Sequence, residues 1–196
     1  ELTGDPMRGY LANLDPDDYK RFFRPNLPEF IAGRDFLDRY GTTIDPLTAV
    51  EPDANYSPLH AADHHVLEAR RVRRFVDFLE RAARDTGDRR THLLDNAGHL
   101  MYASHQSYAM DAMLGSDECD LLVQLVRRRE RDGLYGARIT ATGGGGTVAV
   151  LANRSDRAST AIHQIMDVYD KQTGHRPELL AGTSAGAWHI GSSLVS

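Results

Sequence analysis

The chain has 196 residues, 41% of them hydrophobic and 26% charged, which suits one globular domain with room for an added arm. Its 23 Lys and Arg against 28 Asp and Glu leave a formal charge of −5, which argues against nucleic-acid binding as its task, because phosphate neutralisation wants a basic face. The single cysteine, Cys119, excludes an internal disulfide framework and a multi-cysteine zinc site.

Residues 1–57 are punctuated by Pro6, Pro16, Pro25, Pro28, Pro46 and Pro52, with Pro58 just beyond, and are expected to form a Pro-rich helical arm lying on a larger body, residues 58–196. Two short helices are expected in the arm. Asp15-Pro16-Asp17-Asp18 offers a cap, a proline for the first turn and acids at the positive end of the dipole. Asn26 precedes a stripe of Phe30, Ile31, Phe36, Leu37 and Tyr40 that stops at Gly41.

The strongest helix signal covers 60–84, where Val72, Phe75, Val76, Leu79, Ala82 and Ala83 keep the 3,4 spacing. A second helix is expected from Thr91 to Met110. A third starts at the Ser116-Asp117-Glu118 cap, carries Leu121, Leu122, Leu125 and Val126, and ends near Gly133. The period then changes. Residues 137–140 and 147–151 read as strands, joined by Ala141-Thr142-Gly143-Gly144-Gly145-Gly146. A last helix is expected over 155–173, stopped by Gly174 and Pro177. Helices followed by strands around one helix predict an α+β domain, with a small antiparallel sheet packed against helices.

The four glycines carry the most chemistry. Without Cβ atoms, successive backbone N–H groups can approach a ligand and form an anion nest, with phosphate as the natural guest. Thr140, Thr142 and Thr147 could add hydroxyls. The plainer alternative is a loose surface loop. No Walker A loop is present, since no Gly-Lys-Ser/Thr follows and the chain's lysines are Lys20 and Lys171.

Leu134-Tyr135-Gly136-Ala137-Arg138-Ile139-Thr140, running through the glycines into Thr147-Val148, resembles the third motif of the GHMP sugar kinases. His105-Gln106-Ser107-Tyr108, Leu114-Gly115-Ser116-Asp117 and the 120–126 segment are similar to the L-arabinokinase branch of the galactokinase family. So are Gly9-Tyr10-Leu11-Ala12-Asn13-Leu14 and residues 182–187. The order and spacing of these segments give the resemblance its weight.

The resemblance implies the carboxy-terminal domain of an ATP- and Mg2+-dependent kinase acting on an arabinose- or galactose-like monosaccharide, at the anomeric hydroxyl. It places Thr140, Thr142, Gly143, Gly144, Gly145 and Gly146 at the phosphate and substrate cleft, and His105, Ser107 and Ser184 on the sugar side. Ala141 and Thr142 stand where the family has glycines. The family's Ser-rich ATP-binding motif, amino-terminal sugar signature and catalytic Asp segment are not found, so catalytic and Mg2+-binding residues are expected in a missing amino-terminal half. The chain alone is then expected not to turn over. An exposed partner-facing surface predicts a homodimer of the fragment. A non-catalytic ligand-binding or assembly module of the same fold is the alternative.

Other features have plainer readings beside the chemical ones. Gly182-Thr183-Ser184-Ala185-Gly186 matches the nucleophile elbow of serine hydrolases, but the only histidine after it is His189. His60, His64 and Glu68 share a helix face and could meet a metal, although hydrogen bonding among neighbours explains them as well, and no metal site is expected. Cys119 reads as a small buried residue. The arginines at 127–129 suit a helix C-terminus. No run of about 18 apolar residues is present, so no membrane span is expected. Glu1 is not an initiator Met and no signal peptide is visible, so a cytoplasmic fragment or processed product is expected.

Overall fold

The computed structural model describes residue 7 and residues 9–45, 47–140 and 146–182. Its first helix, α1 (Pro16–Asp18), begins where the Asp15 carboxylate accepts the N–H groups of Asp17 at 2.8 Å and Asp18 at 3.2 Å. It runs on through a π turn over Tyr19–Phe23 and a 3-10 turn over Arg24–Asn26. The second arm helix, α2 (Gly33–Tyr40), is shorter than the stripe predicts. Ile31 and Ala32 form a strand instead, β1, which pairs antiparallel with β2 (Asn55–Tyr56). Tertiary hydrogen bonds explain the difference. The Gly33 N–H donates to the Ala54 carbonyl at 2.8 Å and the Arg34 N–H to the Pro52 carbonyl at 2.9 Å, so residues 51–56 take up amides that a longer helix would have used.

The body is built on a helical hairpin of α3 (Pro58–Ala83) and α4 (Gly87–Met110). Contacts that pair residue 64 with 107 and residue 68 with 104 show the two helices running antiparallel. Next comes α5 (Asp117–Arg127), whose Ser116 cap accepts the Cys119 N–H at 3.3 Å. It stops earlier than expected, and a 3-10 turn over Glu130–Asp132 covers the remaining distance to Gly133. The hairpin of β3 (Leu134–Ile139) and β4 (Val148–Ala152) follows, in antiparallel register with Ile139 opposite Val148 and a bulge between Leu134 and Gly136. The last helix, α6 (Asp156–Thr173), has the Ser155 hydroxyl as its cap, accepting the Ala158 N–H at 3.1 Å, and Gly174 at its C-terminus with φ +74°. This is the expected α+β arrangement of a small antiparallel sheet and packed helices.

Two apolar clusters hold the molecule together. The larger joins Tyr102 of α4, Val123, Leu125 and Val126 of α5, Leu134 and Ala137 of β3, and Ala158, Ala161, Ile165 and Tyr169 of α6. Leu134 and Ile139 are completely buried, each contributing about 1.5–3 kcal/mol of transfer free energy. The smaller cluster seats Leu14 and Tyr19 of the arm on Ala62 and Val66 of α3. Beside it, the Tyr19 hydroxyl donates to Asp63 Oδ1 at 2.7 Å, and the Arg24 guanidinium grips both oxygens of the same carboxylate.

Candidate functional site

The glycine link leaves the sheet through a narrow neck. The Thr140 N–H donates to the Thr147 carbonyl at 2.9 Å, and the Thr140 hydroxyl reaches the same oxygen at 3.3 Å. Thr140 and Thr147 are thus the closing pair of the β3–β4 hairpin. Gly146, with φ +64°, is exposed, and among the described residues no atom beyond its chain neighbours lies within 4 Å of where its Cβ would stand. Thr142, Gly143, Gly144, Gly145 and Ser184 lie outside the described residues.

The strand leading into this neck is held in an unusual way. In an antiparallel ladder, residues point alternately at the partner strand and away from it. Thr140 points at β4, so Ile139 points away. Side chains satisfy both of its backbone groups. His105 Nδ1 accepts the Ile139 N–H at 3.4 Å, and Arg138 Nε donates to the Ile139 carbonyl at 2.9 Å. Arg138 is fixed in turn by Glu68 Oε1 at 3.0 Å, the oxygen that also accepts the Ser104 hydroxyl. Arg71 binds the other Glu68 oxygen at 2.9 Å. Helices α3 and α4 therefore converge on the two peptide groups that flank Ile139.

The charges in this network are internally consistent. Burial pushes the Glu68 carboxyl up, but the Ser104 hydroxyl and the Arg71 and Arg138 guanidinium groups outweigh it and hold the group below its ordinary range. Burial depresses the His105 imidazole against the opposing pull of Asp120, so the ring is neutral at pH 7. A neutral ring that accepts at Nδ1 carries its proton on Nε2, which lies 3.2 Å from Asp120 Oδ1 in α5. His105 thus sits close to the neck, with both ring nitrogens turned toward protein groups.

Ser107 occupies a different network. Its hydroxyl donates to Asp111 Oδ2 at 2.6 Å and stands 3.1 Å from His64 Nδ1, whose proton it accepts. Both Ser107 and His64 are buried, and burial lowers the His64 pKa. His60 approaches Asp111 Oδ1 at 3.5 Å and Glu29 Oε1 at 3.7 Å. His60, His64 and Glu68 accordingly take separate partners, and among the described residues no group of three His, Cys, Asp or Glu side chains could hold a metal ion.

Sequence reading gave no role to Arg138, Ser104 or Asp120 as supports of the neck. Arg138 had a signal, as the one charged residue in an otherwise apolar or small strand run. Asp120 had none, since an acid near a helix start already suits the dipole. The opposite end of the hairpin opens on a cleft of about 600 Å³ between His99, Asp132, Tyr135 and Arg157. A slot of about 320 Å³ along Val72, Phe75, Met101 and Ala149 ends at Glu68 and Arg138. Among the described residues no helix is long and apolar enough to cross a membrane.

Comparison with known proteins places these elements. The family model for the GHMP kinases C terminal domain matches residues 88–171, which run from the start of α4 to the last turns of α6. L-arabinokinase of Arabidopsis thaliana is 36% identical over 197 aligned residues, covering 97% of this chain and 18% of that protein. Galactokinase of Streptococcus thermophilus is 30% identical over 148 residues, covering 76% of this chain and 34% of that protein. The chain therefore spans only a minor part of the length of these curated relatives.

Proposed function

Because the chain belongs to the GHMP kinases through their C-terminal domain, we propose that it works as the carboxy-terminal part of a sugar kinase. The complete enzyme would transfer the γ-phosphate of ATP to the anomeric hydroxyl of an arabinose- or galactose-like monosaccharide. The similarity to L-arabinokinase along 97% of this chain carries the reading. The neck supports it, because a glycine-rich link anchored at a hairpin end by the Thr140–Thr147 pair can offer backbone N–H groups to phosphate.

In this reading ATP supplies the phosphoryl group and Mg2+ offsets its charge. The chain's own part is positional. Gly143, Gly144, Gly145 and Gly146 are assigned the contact with phosphate oxygens. Thr140 adds its hydroxyl, whose 3.3 Å bond to Thr147 is long enough to be exchanged for a ligand oxygen. Thr142 is assigned to the same phosphate contact. His105 and Ser107 are proposed to act on the sugar side as parts of the wall rather than by touching the sugar, given their burial. Ser184 belongs to that side as well. The catalytic base and Mg2+ ligands are assigned to the amino-terminal half. Residues 1–57 would be an arm on the kinase domain formed by 58–196, and the location cytoplasmic.

The test is an assay of sugar-dependent ADP release. The chain alone is expected to give none with L-arabinose or galactose, and the chain completed with an amino-terminal kinase part is expected to give turnover. A completed protein that binds nucleotide but never turns over would favour the second reading, a non-catalytic binding module, for which Ala141 and Thr142 in the turn are the motivating observation. Ester cleavage abolished by Ser184→Ala would instead favour the hydrolase reading. The isolated chain exposes Met110 and Met113 at 67% and 65%, and self-association is expected. A monomer in sedimentation at high micromolar concentration would count against it.

A further inference from the structure

Among the described residues, the neck of the glycine link is held on its far side by side chains. Ile139 stands one residue before Thr140, with its backbone turned away from β4. His105 Nδ1 takes its N–H at 3.4 Å and Arg138 Nε takes its carbonyl at 2.9 Å. Either group left bare and buried would cost about 1–3 kcal/mol. Satisfying both is therefore sufficient reason for the contacts to exist, but it does not explain the second tier. Arg138 could have met the carbonyl alone. Instead Glu68 binds it at 3.0 Å, Ser104 and Arg71 bind Glu68, and the set spans α3, α4 and β3. A guanidinium gripped on two edges has one orientation. Its Nε then fixes the plane of the Ile139–Thr140 peptide, and that plane sets the direction in which the chain enters the turn.

We propose that Arg138, oriented by Glu68 and Ser104, is a positioning residue that, together with His105, fixes the backbone direction at Ile139 and Thr140 and so supports phosphate binding at the link that follows. The last clause rests on the phosphate-cradle reading of the link, whereas the clamp on Ile139 does not. Lysine cannot replace arginine here. It keeps the charge for Glu68, but its single head group cannot serve that carboxylate and the Ile139 carbonyl in the same fork geometry. The large apolar cluster, formed by α4, α5, β3 and α6, includes neither Ile139 nor Arg138.

The experiment uses the 15N-labelled chain as wild type, Arg138→Lys and Ser104→Ala, and reads amide exchange and amide shifts by NMR at pH 7. In Arg138→Lys, exchange at Ile139 and Thr140 is expected to rise at least tenfold and the Gly146 and Thr147 signals to move. The Val123 and Ile165 amides of the core should stay where they are. Ser104→Ala, which disturbs the clamp only through Glu68, should move the same signals by less, and it carries the test if Arg138→Lys does not fold. Unchanged signals at the neck, or changes spread equally over the core, would overturn the proposal. Titration with inorganic pyrophosphate and Mg2+ then separates the two readings. Saturable shifts at Gly146 with about tenfold weaker binding in Arg138→Lys are expected. Equal binding by both proteins would overturn the positioning role. A wild type that ignores pyrophosphate would count against the phosphate cradle, while the exchange data still decide the clamp.

Discussion

Gly98 in the middle of α4 and Gly136 in β3 touch backbone to backbone. A Cβ on Gly98 would come 1.7 Å from the Tyr135 carbonyl oxygen, and one on Gly136 would come 2.4 Å from the Gly98 Cα. The two missing side chains let a helix lie directly on a strand. That approach brings His105, seven positions along α4, within reach of the Ile139 N–H.

Gly98→Ala is therefore expected to destabilise the chain despite the better helix propensity of alanine. Propensity offers about 1 kcal/mol in its favour. Overlap with a backbone that cannot move without parting α4 from β3 should cost about 3 kcal/mol or more. Urea unfolding monitored by circular dichroism measures the difference. Gly146→Ala is the contrast, because its Cβ meets no described atom beyond its chain neighbours and the cost is that of the left-handed φ of +64°. A loss of about 1 kcal/mol is expected there.

Removing the Tyr19 hydroxyl should loosen the arm. The phenol donates to Asp63 at 2.7 Å inside the smaller cluster, and burial together with that carboxylate pushes its pKa up. Tyr19→Phe keeps the packing and the Arg24 pair but loses one bond to a charged acceptor, for about 1.5 kcal/mol. Limited proteolysis is expected to cut within residues 9–27 faster in the variant, with the α3–α4 hairpin left intact.

Stability should fall on acidification in two stages. His64 and His105 have folded pKa values pushed below the unfolded one by burial. The unfolded chain thus takes up protons first. Their contribution is complete above about pH 6.5 and declines as pH drops from there toward the folded values. Urea midpoints between pH 7.5 and 5 should show the decline, and the double variant His64→Gln, His105→Gln should flatten it.

Glu68 and Asp63 form the second stage. Burial opposes their ionisation, yet Ser104, Arg71 and Arg138 around Glu68, and Arg24 and Tyr19 around Asp63, hold both below their unfolded values. Their contribution is present above about pH 4 and is lost as pH falls through the folded values. Glu68→Gln should be less stable than wild type at pH 7 and nearly equal to it at pH 2.5, read from the same unfolding curves.

Much of the body was legible in order of elements. The α3 stripe, the Ser116 and Ser155 caps and the change to strand periodicity each rest on local interactions, and they appear within a few residues of where the sequence puts them. The β1–β2 pair was not legible. Ile31 is a good helix-stripe residue until its neighbours' amides are used by the Ala54 and Pro52 carbonyls, about twenty residues further on. For the site, the closing pair Thr140–Thr147 flanks the glycines as the strand pattern implies. The supports behind it depend on Glu68 meeting Arg138 across seventy residues of chain, which no local pattern encodes.

By itself the sequence determined the α+β class, the caps and the resemblance to the GHMP kinases, because these follow from residue type at short spacing. Only the tertiary structure decided that, among the described residues, Ile139 is held by His105 and Arg138 on the side away from β4. Whether a backbone N–H or carbonyl finds a strand or a side chain depends on what the folded chain brings to that edge, and that is a property of packing rather than of local sequence.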